Sequence, residues 1–111
     1  MTHHLGIDVG TTYTAVAIAR DGRVESVPLG HRAVAIPSVV YIKDDAFIVG
    51  EPANRRAITE SERVAREFKR RVGDPTPILV GGSPLAPEIL MARVAKWVVD
   101  EVAASEGAPA A

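Results

Sequence analysis

The sequence predicts an α+β fold in which an antiparallel β-meander comes first and the helices follow. Three observations predict it. From Leu5 to Leu29 short β-favouring stretches alternate with turn residues. Helical character begins only after Gly50. The longest helical run, Pro87 to about Ser105, lies last. At 111 residues the chain is long enough for one small domain with a modest core.

Each element follows from local chemistry. Leu5 to Val9 is short and apolar, and Gly10 to Thr12 is turn-like. Thr14 to Arg20 places Val16 and Ile18 on one side of a strand. Asp21-Gly22 is a two-residue hairpin signal, and Val24 to Leu29 returns as a third strand that Pro28 confines to an edge or an end. Gly30 to Ile36 reads as a solvated loop, in which His31 and Arg32 have no further metal ligand spaced nearby. Ser38 to Ile42 is β-branched and aromatic, Lys43-Asp44-Asp45 turns, and Ala46 to Val49 returns.

Glu51 to Ile58 can form a short helix that tolerates Pro52 in its first turn. Thr59 and Glu62 have capping-box spacing, and Val64, Phe68 and Val72 recur at helical spacing, which predicts a second helix stopped by Gly73, Pro75 and Pro77. Ile78 to Val80 and Ser83 to Leu85 flank Gly81-Gly82 as a small hairpin. In the last helix Met91, Val94, Val98 and Val102 share one face, and Arg93, Lys96 and Asp100 another. Trp97 reads as core or interface. Residues 107–111 read as a linker or frayed end, leaving 1–106 as the folded part.

Composition narrows the function classes. A net charge of −1 gives no global field for nucleic acid or an anionic membrane. The chain has no cysteine, which removes disulfides and thiolate-held metals. No apolar run approaches the ~20 residues of a membrane span, and no basic-then-apolar leader opens the sequence. The cytoplasm is the expected compartment.

The chemistry concentrates in Asp8-Val9-Gly10-Thr11-Thr12-Tyr13. Phosphates need backbone N–H groups, hydroxyls and a cation to offset their charge. Gly10 would let backbone approach closely, Thr11 and Thr12 offer N–H and hydroxyl donors, and Asp8 could hold magnesium directly or through water. The pattern is neither of the two glycine-rich nucleotide fingerprints, Gly-x-x-x-x-Gly-Lys-Ser/Thr and Gly-x-Gly-x-x-Gly. A plain tight turn uses the same residue types, so both readings stand at this point. Further on, Arg66, Lys69, Arg70 and Arg71 form a basic run that, by charge alone, reads as a solvated helix face.

The stretch from Gly6 to Ile18, GIDVGTTYTAVAI, resembles the first phosphate motif of the actin-like ATPase superfamily, which includes actins, sugar kinases and the 70-kDa heat-shock chaperones. Other segments resemble the DnaK-type chaperones in particular: Ile36 to Ile42 (IPSVVYI), Val49 to Thr59 (VGEPANRRAIT), Phe68 to Gly73 (FKRRVG) and Leu85 to Val98 (LAPEILMARVAKWV). The resemblance implies the N-terminal part of an actin-like, ribonuclease H-like ATPase domain, α/β in the parent protein. It implies ATP or ADP with magnesium as ligands. Asp8 would then sit near the magnesium through its water shell, and Gly10, Thr11, Thr12 and Tyr13 would contact the phosphates. Lys69 would be the catalytic lysine that reaches the γ-phosphate and positions the attacking water. Unfolded polypeptides and co-chaperones would be the parent's partners.

The chain departs from the family at two places. Ala35-Ile36-Pro37-Ser38 stands where many of these chaperones have Thr-Thr-Pro-Ser, and Arg66-Glu67-Phe68 is more charged than the usual apolar stretch before the lysine. The second phosphate loop, the adenosine loop and the water-activating acids lie beyond what the resemblance covers. The segment alone is therefore expected to be inactive, and its uncovered strands to favour a homo-oligomer. Two alternatives are a chaperone-like scaffold without a peptide clamp and a sugar kinase. The latter gives no account of the Ile36–Ile42 or Lys69 segments.

Overall fold

The computed structural model describes residues 3–29, 35–44, 46–107 and 110. β1 (His4–Val9), β2 (Tyr13–Arg20) and β3 (Arg23–Ser26) form the expected antiparallel meander, with Asp8 opposite Ala15 and Ala19 opposite Val24. Strand alternation sends Val16 and Ile18 inward, where both are buried, and Asp8, Tyr13 and Ala15 to the other face. Asp21 and Gly22 both take positive φ, 51° and 74°, as the two-residue turn requires. The third strand is shorter than predicted, because Pro28 cannot donate to a ladder; Val27 still donates its N–H to the Val16 carbonyl.

The loop predicted up to Ile36 ends instead in β4 (Ala35–Pro37). β4 pairs with Tyr13–Ala15, beyond the stretch of β2 that β3 occupies, so β2 carries β1 on one edge and β3 then β4 in tandem on the other. His31 and Arg32 lie outside the described residues.

β5 (Val39–Lys43), β6 (Ala46–Val49) and β7 (Val64–Arg66) build a second sheet in the order β6-β5-β7. α1 (Glu51–Arg56) starts from Gly50, whose φ of 88° favours glycine, and packs on β5 and β6. It stops two residues before the predicted Ile58.

The helix expected over Thr59 to Val72 is not formed. Ser61–Arg63 is a 3-10 turn, β7 follows, and a second 3-10 turn spans Phe68–Arg71. The open edge of β5 decides this. Val64, Ala65 and Arg66 pair with Tyr41, Val40 and Val39, which satisfies backbone groups the sheet would otherwise leave bare. Glu60 holds the approach in place by accepting a hydrogen bond from the Tyr41 hydroxyl at 2.7 Å. Long-range pairing overrides the local helical period. Phe68 is buried as predicted, but Val72 is exposed and the Thr59 side chain makes no cap.

β8 (Ile78–Val80) and β9 (Ser83–Leu85) form the small hairpin across Gly81-Gly82, as expected. α2 (Pro87–Glu106) buries Leu90, Val94, Val98 and Val102, each four residues on from the last. Leu90 replaces Met91 in the predicted stripe; Met91 is only partly buried. Gly107 closes the helix with φ 74°, the usual left-handed stop. α2 packs on β1 and the Phe68–Arg71 turn, and Arg20 pairs with Glu106 across its far end. One core joins Val16, Ile18, Ile36, Val40, Phe68 and the α2 stripe, with Trp97 packed partly buried against it. Among the described residues no helix is long and apolar enough to cross a membrane.

Candidate functional site

The turn between β1 and β2 is built around Gly10. Its N–H donates to the Tyr13 carbonyl at 2.9 Å. A Cβ at this position would lie 2.6 Å from that same oxygen, so no residue with a side chain fits without moving backbone. The glycine is required by the close approach of the Tyr13 carbonyl within the turn.

The turn is braced from the β4–β5 junction. Ser38 donates its N–H to the Thr12 carbonyl at 2.8 Å and its hydroxyl to the Gly10 carbonyl at 2.8 Å. The Ser38 oxygen lies 2.8 Å from the Thr14 hydroxyl. Ser38 has one proton, already given to Gly10, so Thr14 is the donor in that contact. Thr14 and Ser38 are 0% and 1% exposed, so this chain of hydroxyls works away from water, where each bond is hardest to replace.

Outside the brace lies a polar pocket of about 200 Å³. Thr11, Thr12 and Tyr13 form one wall; Asn54, Arg66 and Glu67 stand in it as well. Gly10 to Tyr13 are thus brought together. Asp8 and Lys69 are not in this pocket. Asp8 is exposed on the outward face of β1 and borders a shallower depression with Gly6, Ala15 and Ala17. Lys69 is exposed on the 3-10 turn that the buried Phe68 anchors, rather than on a helix.

The donor set can be tested against magnesium and phosphate. Among the described residues no three His, Cys, Asp or Glu side chains gather into a metal cage. A lone carboxylate at Asp8 fits magnesium that keeps most of its waters and takes other oxygens from phosphate. Thr11 and Thr12, which line the pocket, carry the hydroxyl and N–H donor types that suit a phosphate.

Sequence reasoning missed three features. Thr14 and Ser38 are 24 residues apart, and only the register of β2 against β4 reveals their contact. The placement of Arg66 in the pocket depends on β7, which the helical period concealed. The third is a charged hub behind β5. Glu60 receives the Tyr41 hydroxyl, lies 3.5 Å from the Lys43 ammonium and 3.6 Å from Arg56, and Arg56 stacks 5.3 Å over the Tyr41 ring. The Tyr41 hydrogen bond, ahead of the attraction of Lys43 and Arg56, holds the Glu60 carboxyl below its ordinary range. Burial, then the bond to Glu60, pushes the Tyr41 phenol up.

Comparison with known proteins gives the context of this hairpin. The family model described as Hsp70 protein matches residues 4–80. The chaperone protein DnaK of Elusimicrobium minutum is 36% identical over 114 residues, which cover 98% of this chain and 18% of that protein. The DnaK of Cenarchaeum symbiosum is 32% identical over 98% of this chain and 17% of its own length, and that of Endomicrobium trichonymphae 34% identical over 85% and 16%. The chain therefore spans less than a fifth of these curated relatives. With a hairpin whose glycine, threonines and bracing serine fall inside the matched region, the chain belongs to the Hsp70 protein family.

Proposed function

We propose that this chain supplies the first phosphate-binding hairpin and the catalytic lysine of an actin-like ATPase domain, as the N-terminal segment of an ATP-dependent Hsp70 chaperone. The observation that carries the reading is the Gly10 turn, closed to any side chain and braced by Ser38, with Thr11 to Tyr13 facing the pocket. Gly10, Thr11, Thr12 and Tyr13 bind the phosphates of ATP or ADP. Asp8 would hold magnesium through the ion's water shell, and the ion would supply positive charge against the phosphates. Lys69, a mobile point charge with three donors on an exposed turn, reaches the γ-phosphate and positions the attacking water. Phosphoryl transfer relies on positioning and charge stabilisation, which these groups supply from one side.

The intact protein couples ATP turnover to unfolded polypeptides and co-chaperones in the cytoplasm. Residues 1–106 belong to the nucleotide-binding domain as a first-lobe segment, and 107–111 to a linker or tail. Alone, the 111-residue chain offers one wall of the cleft, so it hydrolyses no ATP and binds it with worse than micromolar affinity.

A chimera tests this. The chain replaces the matching segment of the Elusimicrobium minutum DnaK. The expected result is Mg-ATP hydrolysis that Lys69→Ala removes while nucleotide binding persists. A chimera that folds but hydrolyses equally well with Lys69→Ala contradicts the role given to the lysine.

A further inference from the structure

The basic run from Arg66 to Arg71 does not form one face. β7 ends at Arg66, and Glu67 takes the left-handed region at φ 54°, an uncommon place for a residue with a side chain. The chain changes direction there and separates the cations. Arg71 turns to Asp74 at 3.4 Å and to the Thr76 carbonyl at 3.0 Å. Arg66 stays in the wall of the pocket formed by Thr11, Thr12 and Tyr13.

Arg66 is held there by an amide. Its Nη2 donates to the Asn54 side-chain oxygen at 3.1 Å, and among the described residues it makes no ion pair. An amide oxygen takes one of the five guanidinium N–H groups and neutralises no charge. The result is a positioned cation with donors to spare that lines, together with Thr11 and Thr12, a pocket of about 200 Å³. A planar fork of this kind matches two oxygens of a phosphate at once. Glu67 is the carboxylate in the same wall, and it opposes an anion.

We infer that Arg66 is a phosphate-binding residue of this pocket. Its guanidinium takes a terminal phosphate dianion opposite Thr11 and Thr12, and Glu67 keeps that binding weak enough to reverse. The inference rests on the hairpin's reading as a phosphate clamp and adds to it a second cation, distinct from Lys69, which lies outside the pocket. The ligand chemistry is that of a phosphate dianion, whether the end of a nucleotide or the free ion.

The test is titration of the isotopically labelled 111-residue chain, separately with inorganic phosphate and with ATP, followed by the amide resonances of Thr11 to Tyr13 and the Nε–H of Arg66. The hairpin amides and Arg66 are expected to shift along one isotherm. Arg66 and Glu67 are exposed, so Arg66→Gln weakens the apparent affinity about three- to fivefold and Glu67→Gln strengthens it about twofold, the range for exposed charge-assisted contacts. The opposite signs separate binding from a merely structural contact of Arg66 with Asn54. A response of Arg66 to inorganic phosphate supports a free-ion site, and a response to ATP alone supports the nucleotide's terminal phosphate. Hairpin shifts with an isotherm unchanged by Arg66→Gln overturn the inference and leave the clamp standing. No response at the hairpin or at Arg66 overturns the inference, while the clamp itself, which needs an opposing lobe, stands or falls with the DnaK chimera.

Discussion

Replacing Ser38 by alanine removes the side-chain part of the brace on the Gly10 turn and keeps the backbone bond to Thr12. The variant loses the hydroxyl bond to the Gly10 carbonyl and the acceptor that Thr14 uses, both at 2.8 Å. One lost bond costs about 1 kcal/mol, and a buried hydroxyl left without a partner adds about 1–2 kcal/mol. Thr14 is fully buried, so water does not replace the acceptor. The sum is about 2–3 kcal/mol. Urea unfolding reads it: with a slope of about 1.5 kcal/mol/M for a domain of this size, the midpoint falls by about 1.3–2 M. Thr14→Val removes only the outer donor and costs about 1 kcal/mol. The double variant no longer strands the threonine hydroxyl, so it costs less than the two single changes added, by about 1 kcal/mol. A midpoint that barely moves for Ser38→Ala, or strict additivity in the double variant, refutes the hydroxyl chain as the brace.

Other expectations follow from the same geometry. Gly10→Ala forces the Tyr13 carbonyl to move and costs about 2 kcal/mol, in the range of overpacking changes; an unchanged thermal midpoint contradicts the close approach. Glu60 is depressed in the folded protein, so its contribution is present above its ordinary range and is lost as pH falls through its lowered value. Tyr41 is raised, so its contribution is present below the ordinary tyrosine range and is lost as pH rises through its raised value. Stability against these two groups is flat near neutrality, and Glu60→Gln should flatten the acid limb of a melting-temperature profile; a limb that persists undiminished assigns it elsewhere. Among the described residues β1 pairs only with β2, and Leu79 and Val24 are well exposed, so light scattering of the isolated chain should show an oligomer. A monomer at high concentration counts against that.

The meander was legible because alternation and the Asp21-Gly22 turn are local signals, and the structure places both where the residues direct. α2 was legible for a similar reason: Val94, Val98 and Val102 repeat at one spacing over a long run. The segment after α1 was not. Val64, Phe68 and Val72 have helical spacing, yet the free edge of β5 recruits Val64 to Arg66 as a strand. No local pattern encodes that edge, since β5 lies more than twenty residues earlier in the chain. The site divides in the same way. Gly10 to Tyr13 stood out because their residue types match phosphate chemistry. Ser38 passed as the first residue of a strand, and Arg66 as one charge among four, because their partners come from register and not from neighbours. Lys69 was singled out through family resemblance; its surroundings in the basic run gave no sign of a special role.

The central claim is that the Gly10 to Tyr13 turn is half of a nucleotide clamp that needs an opposing lobe. Calorimetric titration of Mg-ATP into the DnaK chimera, beside its Gly10→Ala variant, tests it most directly. Micromolar binding by the chimera and at least a tenfold loss (about 1.4 kcal/mol) in the variant is the predicted result. Equal affinity in the two folded proteins would show that the turn does not hold the phosphates.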